Sequence, residues 1–347
     1  MKILMSSFFF YPSVGGIEQV SQTLATEFST AGHEVTVITT TPVESDEAPF
    51  PFAIQRRPSH LRLLKLLRWC DVYFQNNISL QYAWPLLFFN RPWVIAHHTW
   101  IARMDTSMNW RDRIKQYVAR FAENISISKP IATHLTAPSV TIGNPYRDDL
   151  FRRDSTVQRD RELIFVGRLV KDKGVDILFE ALRILSAKGV HPNLTIVGTG
   201  PEQKNLEALA DEFWLSDQVS FAGIRTGVAL SELLNRHRII VVPSRWQEPS
   251  GLVALEGVAC GCRAIVSNCG GLTEAVGDVA SLFKHEDSES LASEIARHLN
   301  ETFDWATYWK ESESELQKHK SKEVAARYLE IIESARPVRS VSIRSFR

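Results

Sequence analysis

The chain has 347 residues, of which 44% are hydrophobic and 23% charged, and its 40 basic side chains balance 40 acidic ones. Such a composition excludes a disordered chain, and at roughly 100–200 residues per domain the length predicts two domains. Zero net charge argues against a dedicated nucleic-acid binder, whose footprint is basic, so no nucleic-acid partner is expected. Four cysteines (Cys70, Cys260, Cys262 and Cys269) are too few for a disulfide framework. Cys260 and Cys262 lie two apart, which is not zinc or redox spacing, and read as small buried residues; no metal site is expected.

No apolar run reaches the roughly 18 residues of a membrane-spanning helix. The N-terminus MKILMSSFFFYPS has the look of a signal peptide but lacks an A-x-A-like cleavage site. Lys2–Phe9 instead reads as a buried strand, Gly15-Gly16 as a turn, and Glu18–Ala31 as a helix ended by Gly32. A reducing cytoplasm is the expected compartment. Further strands are predicted at 35–40, 72–76, 93–98, 125–128 and 140–143, with helical patterns between most of them. At Gly143-Asn144-Pro145 the rhythm breaks into a charged stretch and then restarts. Strands are predicted at 163–167, 194–198, 219–223, 239–244 and 263–267, with helices at 174–188, 202–215 and 252–259. The alternation predicts an α/β protein of two doubly wound Rossmann-like domains, with ligands at the carboxyl ends of the strands. The expected bounds are 1–150 and 160–320, then a terminal helix at 321–335 packing back on the first domain, and a disordered tail at 336–347.

Three loops carry candidate chemistry. Gly15 and Gly16 open a helix and bare its N–H groups to an anion, although a tight structural turn fits the spacing equally well. In VGRLVKDKG, Arg168 and Lys173 stand five apart at a strand end, where two cations can neutralise a diphosphate; two solvated surface cations fit as well. In PSRWQEPSGLVALEG, Glu248 and Glu256 lie eight apart around a short apolar helix. The amides of Ser250, Gly251 and Leu252 sit at its N-terminus, where dipole and unpaired donors favour a phosphate. Carboxylates before and after such a site can hold sugar and ribose hydroxyls, although two ordinary glutamates share that spacing.

EPSGLVALE is similar to the E-x7-E motif of retaining glycosyltransferases of the GT-B fold, particularly glycosyltransferase family 4. The likeness extends through GGIE (15–18), HH (97–98), GRLVKDKG (167–174), VGTGPE (197–202), FAG (221–223) and GGLTEAVGD (270–278). It implies two Rossmann-like domains facing across a cleft, with a nucleotide-diphosphate sugar as donor substrate and no cofactor. By this resemblance Arg168 and Lys173 bind the departing diphosphate, Glu248 contacts the donor sugar, and Glu256 holds the ribose. Ser250, Gly251 and Leu252 bind phosphate or sugar, and His97, or its neighbour His98, sits near the reacting sugar. Gly15 and Gly16 let the backbone approach donor or acceptor. The resemblance also implies retention of anomeric configuration without a metal, with the leaving diphosphate helping to deprotonate the acceptor.

The stretch from Gln55 to Trp69 carries Arg56, Arg57, Arg62, Lys65 and Arg68, with no acid before Asp71 and leucines between the bases. It reads either as an anionic-membrane contact or as a core helix with a solvated basic side. Arg336, Arg339, Arg344 and Arg347 add basic charge in the tail. Together these make a transferase acting on a glycan or lipid-linked acceptor in surface polysaccharide synthesis, such as lipopolysaccharide, peripheral at the inner face of the plasma membrane, the leading expectation. The alternatives are a non-catalytic sugar-nucleotide scaffold and another GT-B enzyme, such as an epimerase or phosphorylase.

Overall fold

The structure is a computed structural model that describes residues 1–13, 15–42, 50–102, 108–301 and 304–337. It divides into two units, Met1–Pro145 with the segment from Ser321 onward, and Tyr146–Lys320. Of the basic tail residues, Arg339, Arg344 and Arg347 lie outside the described residues, as does Val14 in the first loop.

In the first unit the order is β1 (Lys2–Ser7), α1 (Gly16–Thr30), β2 (Glu34–Thr39), β3 (Ala53–Arg56) and α2 (His60–Trp69). Then come β4 (Val72–Asn76), α3 (Leu80–Ala83), β5 (Trp93–His97), α4 (Trp110–Val118), β6 (Glu123–Ser126), α5 (Lys129–His134) and β7 (Val140–Thr141). Its seven strands run in the order β3-β2-β1-β4-β5-β6-β7, all parallel. A parallel sheet is covered on both faces, which is why β4 and β5 read as unbroken buried runs.

The second unit holds β8 (Arg161–Val166), α6 (Val175–Ser186), β9 (Leu194–Val197), α7 (Gln203–Glu212), β10 (Val219–Gly223) and α8 (Gly227–Arg236). It continues with β11 (His237–Val242), α9 (Leu252–Ala259), β12 (Arg263–Ser267), α10 (Leu272–Val276), β13 (Ala280–Phe283), α11 (Ser288–Asn300) and α12 (Trp305–Gln317). Six parallel strands run in the order β10-β9-β8-β11-β12-β13. Both sheets therefore reverse direction beside their first strand, between β1 and β4 and between β8 and β11. In doubly wound sheets that reversal opens a crevice at the carboxyl ends of the strands.

Three particulars depart from the sequence reading. The second unit begins at Tyr146, ahead of the charged stretch, because Tyr146 and Phe151 are buried in its core. The Tyr146 amide also donates to the His319 carbonyl at 3.1 Å. Pro337, expected in the tail, instead bridges to Pro92, just beyond the last helix, α13 (Ser321–Ser334), which packs along α1.

The 55–69 stretch is not one amphipathic segment. Gln55 and Arg56 end β3, Arg57 turns the chain with φ of 47°, and α2 starts only at His60 under a Ser59 cap. Arg56 is spent inward, its guanidinium donating to the Tyr11 carbonyl at 2.8 Å. Leu63, Leu66 and Leu67 face the core, leaving Arg62, Lys65 and Arg68 as the outward charge of α2. Cys70, Cys260 and Cys262 are buried, and burial pushes the Cys260 thiol up to about 11 and the other two up to about 12. Among the described residues no helix is long and apolar enough to cross a membrane.

Candidate active site

The two loops flanking the β8/β11 reversal carry five of the predicted donor residues. β8 ends at Val166, and its loop runs through Arg168 to Lys173 before α6 begins. β11 ends at Val242, and its loop runs through Glu248 to Gly251 before α9 begins.

These loops are joined at the backbone. The amides of Arg245 and Trp246 donate to the Asp172 carbonyl at 2.9 and 3.1 Å. Gly174 has φ of 66°, and a Cβ there would overlap the Pro243 carbonyl oxygen. Only glycine satisfies both the left-handed turn and that approach.

Lys173 Nζ then meets Glu248 Oε1 at 2.5 Å, and the Ser244 hydroxyl donates to the same oxygen at 2.8 Å. The lysine side chain keeps 32% of its surface exposed and the glutamate 13%. A third loop, after β12, supports Glu248 from behind. The Gly271 amide donates to the Glu248 carbonyl at 2.6 Å, and Gly270, with φ of 58°, leaves no room for a Cβ beside that carbonyl.

Arg168 is exposed, and among the described residues its guanidinium has no ion-pair partner. Ser250, Gly251 and Leu252 lie at the start of α9, which has no side-chain cap. First-turn N–H groups have no intrahelical acceptor, so this helix end presents donors and a partial positive charge. Glu256 lies just over one turn into α9 and is only 6% exposed. Asp149, and more weakly Glu256, hold the Arg147 guanidinium's pKa above its ordinary value, while desolvation opposes them. Arg147 is paired with Asp149, two residues on, and only its weaker coupling to Glu256 joins it to the predicted site. The arrangement can neutralise an anion with two cations and a helix end, and accept hydroxyl protons on two carboxylates.

The remaining predicted residues lie in the first unit. Gly15 is the extended N-cap of α1, and Gly16 its first residue. The end of β1 is tied to α1 and β4 through the Ser7 and Ser21 hydroxyls, 2.8 Å apart, and Asn76, which donates to Ser21. His97 is 1% exposed, with Nε2 at 2.9 Å from Asn124 Oδ1, and His98 Nδ1 lies 2.9 Å from Asn144 Oδ1. Burial lowers both imidazoles to about 4, so both are neutral at pH 7. His98 Nε2 is buried without a hydrogen-bond partner. A polar atom so placed is a site waiting for a donor or acceptor, a signal no sequence spacing carries. A separate cavity of about 420 Å³ lies at the ends of β1 to β3, lined by Phe9, Ser13, Thr40, Thr41, Arg57 and Gln81 among others.

Two parallel doubly wound units with a cation–carboxylate pair and a helix end at the second unit's switch point define a Rossmann-like binding protein for anionic ligands. Two family models now specify the class: Glycosyltransferase Family 4 matches residues 14–144, and Glycosyl transferases group 1 matches residues 147–316. The chain belongs to this family of GT-B glycosyltransferases.

A Methanocaldococcus jannaschii glycosyltransferase is 38% identical over 128 residues, covering 36% of this chain and 32% of that protein. A glycogen synthase of Mycobacterium tuberculosis is 35% identical over 165 residues, 42% of this chain and 40% of the relative. The chain thus spans between 20% and 44% of the length of the curated relatives it matches. Among solved structures, Anabaena HepE in complex with UDP and glucose aligns over 96% of this chain and 100% of its own, with a TM-score of 0.78 and 20% identity.

Proposed function

We propose that this protein is a retaining glycosyltransferase that moves a sugar from a nucleotide-diphosphate sugar to a glycan or lipid-linked acceptor in surface polysaccharide synthesis. The observation that carries the reading is the Lys173–Glu248 pair, held across the two loops of the β8/β11 reversal. Relatives support it by name, since Anabaena HepE binds UDP-glucose and the M. tuberculosis relative is a glycogen synthase.

In the proposed reaction the bond from the anomeric carbon to the diphosphate oxygen breaks, and the acceptor oxygen bonds to that carbon on the same face. The acceptor proton passes to the departing diphosphate. Lys173, Arg168 and the α9 end stabilise the charge that grows on that group, which is where electrostatic catalysis is strongest. Glu248 holds donor-sugar hydroxyls, oriented by Ser244 and Lys173, and Glu256 holds the ribose. His98, or His97, contacts the reacting sugar as a neutral imidazole. No metal takes part, so chelator leaves turnover unchanged.

The test is a thermal-shift panel of UDP-, GDP- and ADP-sugars, followed by transfer with the donor that binds. A ligand at 100 times its dissociation constant stabilises by about 2.7 kcal/mol, well above the noise of the measurement. NMR of the product reads the anomeric configuration. An inverted product overturns the retaining mechanism, and failure to bind any nucleotide sugar overturns the whole reading.

A further inference from the structure

The loop after β11 sets one arginine, Arg245, between Ser244 and Glu248, and the reaction proposed above makes no use of it. Its guanidinium turns to two carboxylates of other elements. Nη1 donates at 2.6 Å to Asp176 Oδ1, in the first turn of α6. Nε donates at 3.1 Å to Glu286 Oε1, between β13 and α11. The Asp176 bond, with the charge of both carboxylates, holds the arginine's pKa above its ordinary value against partial desolvation.

The main chain of the same residue makes a third attachment. The Arg245 amide donates to the Asp172 carbonyl at 2.9 Å. Lys173 therefore stands between two positions, 172 and 176, that are both fastened to Arg245. In the facing loop the arginine is flanked by Ser244 and Glu248, which meet at Glu248 Oε1, the oxygen that receives Lys173. One residue thus ties together the segments that carry the cation and the carboxylate of the site.

Stability does not account for the arrangement. Arg245, Asp176 and Glu286 keep 34%, 42% and 53% of their side-chain surface exposed, and ion pairs so exposed contribute little. The guanidinium also borders a cavity of about 340 Å³, so on that side the carboxylates hold it rather than packing. Glu286 stands at φ of 57°, a left-handed backbone in which glycine would be less strained. Lysine could not replace the arginine, because a single ammonium on a flexible stem lacks the planar fork that meets two carboxylates on two edges.

We propose that Arg245 is a positioning residue of the transferase, fixing Lys173 against Glu248 in the donor-binding geometry without itself touching the donor. The proposal rests on the transferase reading of those two residues. A misplacement of about 1 Å at a reacting centre can cost about a hundredfold in rate, so loss of the clamp should appear in turnover rather than in folding.

The test is kcat, donor KM and Tm for a set of variants, measured with the nucleotide sugar that the wild type turns over. Arg245→Ala and Arg245→Lys should each lower kcat by about tenfold or more, with donor KM changed by less than about threefold. Glu286→Gly removes one carboxylate and relaxes the backbone, so Tm should hold while kcat falls by about threefold. Arg236→Gln removes an exposed arginine paired with Asp160 at 2.6 Å, away from these loops, and should leave kcat and KM at wild-type values. A double-mutant cycle separates positioning from an independent role. Because Arg245 acts through Lys173, Arg245→Ala should cost almost nothing further once Lys173 is alanine. Wild-type kcat in Arg245→Ala, rate losses that track Tm, an equal loss in Arg236→Gln, or losses that multiply in the double variant would each overturn the inference. The transferase reading survives those results so long as Lys173→Ala alone is slow. Wild-type turnover by Lys173→Ala, or no nucleotide sugar turned over at all, would overturn both.

Discussion

Replacing Lys173 by alanine separates the catalytic reading of the switch-point loops from a structural one. The side chain makes one ion pair, to Glu248 at 2.5 Å, and is about one-third exposed. An ion pair that accessible contributes about 0–1 kcal/mol to stability. Glu248 also keeps the Ser244 hydroxyl at 2.8 Å after the lysine is gone, so it is not left bare. For a domain of this size the expected fall in Tm is about 2–4 °C at most.

The kinetic effect is far larger. A cation about 4 Å from a developing charge interacts by about 4 kcal/mol at an effective dielectric near 20. Removing one preorganised charge-stabilising group costs about 10²–10³ in rate. The loss should fall on kcat more than on donor KM, because diphosphate charge grows only as the bond breaks. Initial rates at saturating donor, with Tm measured on the same preparation, decide it. Near-wild-type kcat, or a rate loss matched by global unfolding, would refute the argument.

Three further outcomes follow from the same geometry. Glu256→Gln should weaken nucleotide binding about tenfold to a hundredfold, the worth of a charge-assisted hydrogen bond, with Tm nearly unchanged; calorimetry showing wild-type affinity would remove Glu256 from the ribose. Gly270→Ala forces a side chain into φ of 58° against the Glu248 carbonyl. Strain of that kind costs about 1–3 kcal/mol, so unfolding temperature and kcat should fall together, and an unchanged Tm would count against the support assigned to that loop.

The buried histidines set a pH limit. His97 and His98 have folded values near 4 against 6.5 unfolded, so the unfolded chain binds more protons between those values and stability falls as pH drops through them. At pH 5.5 the two together should cost about 3 kcal/mol relative to pH 7.5, and denaturant unfolding that is flat across this range would contradict it.

How much of this was legible in the sequence depends on how local the cause is. Strands 72–76 and 263–267 and the helix 252–259 are legible to the residue, because a buried parallel strand or short apolar helix is written in consecutive residues; strand 219–223 is also legible although it is mostly half-buried. β3 and β13 were missed. Neither is a buried run: Ala53 is exposed with its three successors half-buried, and only Phe283 of β13 is fully covered. The basic stretch 55–69 misled because charge and leucine spacing continue smoothly across the turn at Arg57. At the site, Lys173 and Glu248 were legible as residue types at loop positions. Their mutual contact, the Ser244 hydroxyl on the same oxygen and the bracing by Gly270 and Gly271 join positions up to 98 apart through folding alone.

The two units carry the same topology with different chemistry at the equivalent place. After β1 come Ser7, Ser21 and Asn76, joined by hydrogen bonds through Ser21, and the helix begins on two glycines with the Glu18 carboxylate against Gly15. After β8 come Arg168, Lys173 and Glu248, with a backbone zipper between their loops. A fold repeated with different side chains at the equivalent place separates what the architecture supplies from what the loops add. The architecture supplies crevices and helix ends in both units. In the proposed reading the loops of the second unit add Arg168 and Lys173 for a diphosphate and Glu248 for hydroxyls.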